Sequence, residues 1–129
     1  MKQWSSLAVG MVLGACAMAA AGQGAAQPTL DPLKLSPQYY SLRFENDRVR
    51  VLEYRLKPGE KEVMHSHPPG VVYAMADATT RTTLPDGRVS EGGSTAGRVS
   101  WRESTTHALE NIGKTEVHNL AIELKPCGQ

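Results

Sequence analysis

The chain has little with which to staple, stack or anchor itself. Only two of its 129 residues are cysteine, Cys16 and Cys127, too few for the disulfide framework that holds many small secreted folds together. Processing of the N-terminal leader described below would remove Cys16 or commit it to lipid, leaving Cys127 as a tail thiol rather than a nucleophile. Charge of one sign is equally scarce. The formal net charge is +1 and no basic run is interleaved with aromatics, which argues against a phosphate-tracking surface and against nucleic acid as a partner. No apolar run is long enough to read as a membrane span, and no stripe of period 3.6 marks a helical core.

What is present begins with a leader. "MKQWSSLAVGMVLGACAMAAAGQGAAQP" carries Lys2, an apolar stretch from Leu7 to Ala21 and small residues after it, the layout of a secretory signal peptide over residues 1–26. This predicts an exported, periplasmic bacterial protein. Leu13-Gly14-Ala15-Cys16 resembles the lipobox of bacterial lipoproteins, while small-residue cleavage points lie at Ala19–Ala21 and Gly24–Ala26. A lipid-anchored and a free form therefore both stand, and a membrane enters only through such an anchor. Residues 27–37 are rich in proline without periodicity and read as a linker. One domain is expected over residues 38–126, its 40% hydrophobic content sufficing for a single modest core.

Within that domain, short apolar segments alternate with turn chemistry. Strands are predicted over 49–56, 61–67, 71–75, 81–84, 98–101 and 116–124, with turns at Lys57-Pro58-Gly59, Pro85-Asp86-Gly87-Arg88 and Asn111-Ile112-Gly113-Lys114. Proline presets φ in such turns and glycine accepts positive φ. The result is an all-β domain closed as a sandwich or small barrel, because strand edges must be paired or covered. In the last strand Leu120, Ile122 and Leu124 share one face, which is expected to point inward and to include His118.

Two histidines two residues apart, His65 and His67, fall on one side of their strand. With Val63 at the same parity, that side is expected to face inward. His107 lies 40 residues on, where a strand return would bring it beside the pair. At this point the chain resembles the cupin family. Gly59 with His65-Ser66-His67 matches the spacing of its first motif, and His107 with Asn111 matches the end of its second; the likeness spans roughly residues 42–125. It implies a jelly-roll β-barrel, His65, His67 and His107 as metal ligands, and pairing of two copies through sheet edges.

The departures are informative. The family's usual ligand glutamate would fall near Gly70, Val71 or Val72, none of which offers a side-chain oxygen. The glycine closing the first motif is replaced near Asp77 and Ala78, tolerable if Asp77 takes the left-handed conformation. The Pro-x-Gly before the third histidine is replaced by Arg102-Glu103-Ser104, with Arg102 and Glu103 either reaching a substrate or forming a solvated ion pair. Three neutral imidazoles without a carboxylate leave a dication's full charge to act on an anionic, chelating ligand. Among cupins that set implies iron(II) and a dioxygenase, with zinc, nickel or manganese accepted by the same ligands. Val72, Tyr73 and Trp101 are candidates for the pocket wall of a small-molecule site. His118 is a candidate acid or base, as a sugar isomerase or epimerase would need, or else a satisfied histidine near the barrel mouth. A binding module without turnover is the remaining alternative.

Overall fold

The structure is a computed structural model that describes residues 30–127; the predicted signal peptide and Cys16 lie outside them. Turn chemistry divides the described residues into nine strands: β1 (Tyr40–Glu45), β2 (Val49–Leu56), β3 (His65–His67), β4 (Gly70–Ala74), β5 (Ala78–Thr83), β6 (Val89–Ser94), β7 (Val99–Arg102), β8 (Thr105–Asn111) and β9 (Val117–Leu124). Gly59 and Gly87 take φ of 81° and 84° at two of the predicted turns, a region that L side chains rarely adopt. The strands form a five-stranded sheet in the order β1-β2-β9-β4-β7 and a four-stranded sheet in the order β3-β8-β5-β6. All pairings are antiparallel and several join strands far apart in sequence, such as β2 with β9 and β3 with β8. This is the jelly roll expected from the strand pattern and the motifs.

Strand β2 occupies the span predicted for it. The segment 61–67 contributes only His65–His67, with Lys61 making one isolated bridge to Glu110. Strands β1, β6 and β8 were not marked by apolar alternation; β6, Val-Ser-Glu-Gly-Gly-Ser, owes its place to its partner β5. Asp77 does not take the left-handed conformation, since no described residue other than glycine has positive φ. Its carboxylate instead accepts the Ala96 N–H at 2.8 Å.

The core lies between the sheets around Tyr40, Leu52, Tyr54, Leu56, Val117 and Ala121. Leu52 and Leu56 are fully buried, each contributing about 2 kcal/mol. Strand β9 turns the opposite way from the expectation. Its register sets Ala121 opposite Leu52 and Glu123 opposite Arg50, so Val117, Asn119, Ala121 and Glu123 face inward and the leucine face, with His118, faces outward. Small Ala121 leaves room for the bulkier Leu52 and Tyr54, and Glu123 finds cations inside.

Ahead of β1, α1 (Pro32–Leu35) is one helical turn within the stretch read as linker. Asp31 caps it by accepting the Leu33 N–H at 3.1 Å, proline at the first helical position suits its fixed φ, and the Asp31 carboxylate also accepts from Arg50. The Leu30 carbonyl accepts the Ser66 N–H at 2.7 Å. This segment is thus tied to the strand that carries the His-x-His pair.

Candidate metal centre

Antiparallel pairing of β3 with β8 sets His65 directly opposite His107, and the two-residue period puts His67 on the same face. Ring centroids lie 4.7 Å apart for His65 and His67, 5.0 Å for His65 and His107, and 5.4 Å for His67 and His107. One nitrogen of each histidine lies within 4.8 Å of the other two. His65 and His67 are buried and His107 half-buried. The three residues singled out as metal ligands are therefore brought together.

The hydrogen bonds decide which nitrogens are free. His65 Nδ1 donates to the Val63 carbonyl at 2.9 Å and His67 Nδ1 donates to Glu123 Oε1 at 2.5 Å. Each ring therefore keeps its proton on Nδ1 and presents an unprotonated Nε2. Those two Nε2 atoms lie 2.9 Å apart, with the Tyr40 hydroxyl 3.1 Å from that of His65. Two lone pairs at that separation repel unless a cation lies between them. His107 Nε2 is buried with no hydrogen-bond partner. Desolvation by burial lowers all three pKa values, to about 4 for His65 and about 3 for His107, so the rings are neutral ligands at physiological pH. This donor set fits a divalent transition metal.

Two carboxylates escaped the sequence reading. Glu123, 1% exposed, accepts from His67, from Arg50 at 2.7 and 2.8 Å, and from Arg102 at 3.3 Å. Burial pushes its pKa up, but the bonds from His67 and Arg50 outweigh burial and hold it below the ordinary value. It orients His67 as carboxylates orient histidine ligands in metal sites. Glu62 is buried with Oε1 3.7 Å from His65 Nε2, and burial raises its pKa to about 8. Alternation hid both: Glu62 precedes β3 in an irregular segment, and Glu123 stood on the face of β9 taken as outward.

Other candidate residues divide. Val72 lines a cavity of about 160 Å³ beside His67 and His107. Tyr73 and Trp101 face outward, 38% and 53% exposed, paired across the sheet with Leu120 and Val71 on its outer surface; they are not pocket residues. His118 is corrected likewise. It lies on the outer face of β9 opposite Arg55 and contacts Glu53 at 2.7 Å, so the strand's alternation takes it away from the three histidines. Glu103 accepts from the Trp101 indole at 2.7 Å, whereas Arg102 lines the cavity. Asn111 does not join the ligands: its Nδ2 donates to the Leu56 and Thr115 carbonyls. Gly70 stands where a carboxylate was sought, and any Cβ there would collide with the Ile122 carbonyl.

No family model matches the chain, and no curated protein matches it. Among solved structures, a cupin domain from Bordetella pertussis Tohama I aligns at 29% identity with a TM-score of 0.62, over 67% of this chain and 92% of that one. A conserved protein with a double-stranded β-helix domain from Klebsiella pneumoniae aligns at 17% identity and TM-score 0.53, over 66% and 74% of the two chains. An RmlC-like cupin family protein from Methanocaldococcus jannaschii aligns at 14% identity and TM-score 0.53, over 66% and 77%. The latter two likenesses are of fold alone.

Proposed function

We propose that this chain, whose fold is that of cupin domains, binds a divalent transition metal through the Nε2 atoms of His65, His67 and His107 and presents that metal to a small chelating ligand in the adjoining cavity. The observation that carries this reading is the pair of Nε2 atoms 2.9 Å apart on rings whose Nδ1 atoms each face an acceptor, the arrangement that leaves both Nε2 atoms to a metal. Iron(II), favoured here over zinc, nickel or manganese, would supply a centre at which a chelating substrate meets O₂, and the reaction class proposed is a dioxygenase. The protein's own part is to orient the ligands through Val63 and Glu123 and to shield the site with Tyr40, Tyr54, Val72 and Leu109. The sugar isomerase reading loses its base, because His118 is on the outer surface.

Metal analysis of protein purified without a histidine tag tests the centre. Wild type should carry stoichiometric metal, and His67→Ala and His107→Ala should each lose it; wild type without metal uptake would sink the proposal. Oxygen uptake on diketones and thiols after anaerobic loading with iron(II) then separates a dioxygenase from a metal-binding module without turnover.

Export through residues 1–26 and pairing of two copies belong to the same proposal. The outer face of the five-stranded sheet, rather than the sheet edges the resemblance implied, favours pairing, since it exposes Phe44, Tyr73, Val99, Trp101 and Leu124, an apolar surface of the kind that marks interaction sites.

A further inference from the structure

The cavity beside the histidines is walled by apolar groups but carries unmatched polar atoms of two kinds. Arg102 closes β7 opposite Gly70, where no side chain blocks the guanidinium from lying inward, and its side chain is 18% exposed. Its Nε is buried without a partner. Its one carboxylate contact is long, 3.3 Å to Glu123, and Glu123 already accepts two bonds from Arg50 and one from His67. On the same sheet, two strands away, Asn119 sits on the inner face of β9 opposite Tyr54, and its Oδ1 is a buried acceptor without a donor. His107 Nε2 and the Tyr54 hydroxyl are further such atoms, and all four residues line the one cavity.

Buried polar groups left unpaired cost about 1–3 kcal/mol each, more when charged, so four on the lining of one space mark a site for a polar ligand. Arg102 calls for an acceptor with negative charge; Asn119 Oδ1 calls for a donor. A dication on the histidines adds to the positive charge. The volume, about 160 Å³, suits a molecule about as large as benzene.

We propose that this cavity binds a short carboxylate bearing a hydroxyl next to its carboxyl group, with Arg102 taking the carboxylate and Asn119 the hydroxyl. This rests on the three-histidine centre in that the ligand's oxygens also face the metal. It names a 2-hydroxy acid as the class of chelating ligand, where the metal site alone admits any chelator.

Elemental analysis comes first and fixes the metal content. Calorimetric titration of the full chain in that state then uses lactate, lactamide and propionate. Lactate should bind; lactamide, which lacks the charge, should bind about 10- to 100-fold more weakly, and propionate, which lacks the hydroxyl, about tenfold more weakly. Arg102→Gln should lose as much lactate affinity as the amide does, and Arg102→Lys less. If Arg102→Gln fails to fold by circular dichroism, the comparison of lactate with lactamide on wild type decides alone. Equal binding of the two would overturn the assignment. So would metal uptake without lactate binding, which leaves the metal centre standing. Lactate binding that prefers the acid, in protein that takes up no metal, overturns the centre and keeps the carboxylate site. Absence of both overturns both.

Discussion

Burial acts on Glu62 and on the three histidines in opposite senses, and the metal-free protein should record both in its pH dependence. Each histidine has a folded pKa below the ordinary 6.5, so below that pH the unfolded chain binds protons that the folded one refuses, and stability falls as pH drops. Glu62 has a folded pKa raised from 4.5 to about 8; the folded state keeps a proton that the unfolded state releases, and stability falls as pH rises towards 8. Thermal unfolding in chelator from pH 5 to 9 should therefore peak near pH 6.5, and Glu62→Gln should remove the loss between pH 6.5 and 8 while leaving the acid limb. An unchanged alkaline limb in the variant would show that Glu62 does not titrate there. The histidines were legible because a two-residue spacing survives in any strand. Glu62 was not, since nothing local distinguishes a buried glutamate from a solvated one.

At the scale of elements, the pairing of β3 with β8 makes the site, and Asn111 fastens the end of β8. Its side chain donates to the Leu56 and Thr115 carbonyls at 2.8 Å each and accepts the Gly113 N–H at 3.0 Å, joining β2, β8 and the turn before β9. The motif match drew attention to Asn111 beside a ligand; the structure gives it the work of a clasp. Asn111→Ala removes these bonds and leaves buried groups unpaired, which should cost about 3 kcal/mol and lower the Tm by roughly 10–20 °C. Differential scanning calorimetry checks this, and the folded variant should take up as much metal as wild type does, because no bond from the Asn111 side chain reaches a histidine. Strand β9 shows the limit of pattern reading at this scale. Leu120, Ile122 and Leu124 look like a core face, but the alternate face, Val117, Asn119, Ala121 and Glu123, fits against Leu52 and Arg50.

For the whole molecule, that reversal leaves an apolar outer sheet. Trp101, 53% exposed, lies on it and can be changed without touching the core. If two copies cover this face, Trp101→Glu should sediment as a monomer at concentrations where wild type sediments as a dimer; wild type that stays monomeric would remove the pairing proposal. Spacing and local backbone preferences were enough to read the all-β class, most strands and turns, and the three histidines. Packing was needed to choose which face of β9 points inward, to set His118, Tyr73 and Trp101 outside, and to gather Glu62, Glu123 and Arg102 around the histidines. Alternation states which residues share a side, while packing of one sheet against the other chooses the side. Glu123 meets His67 across 56 positions of chain, a distance that no local pattern spans.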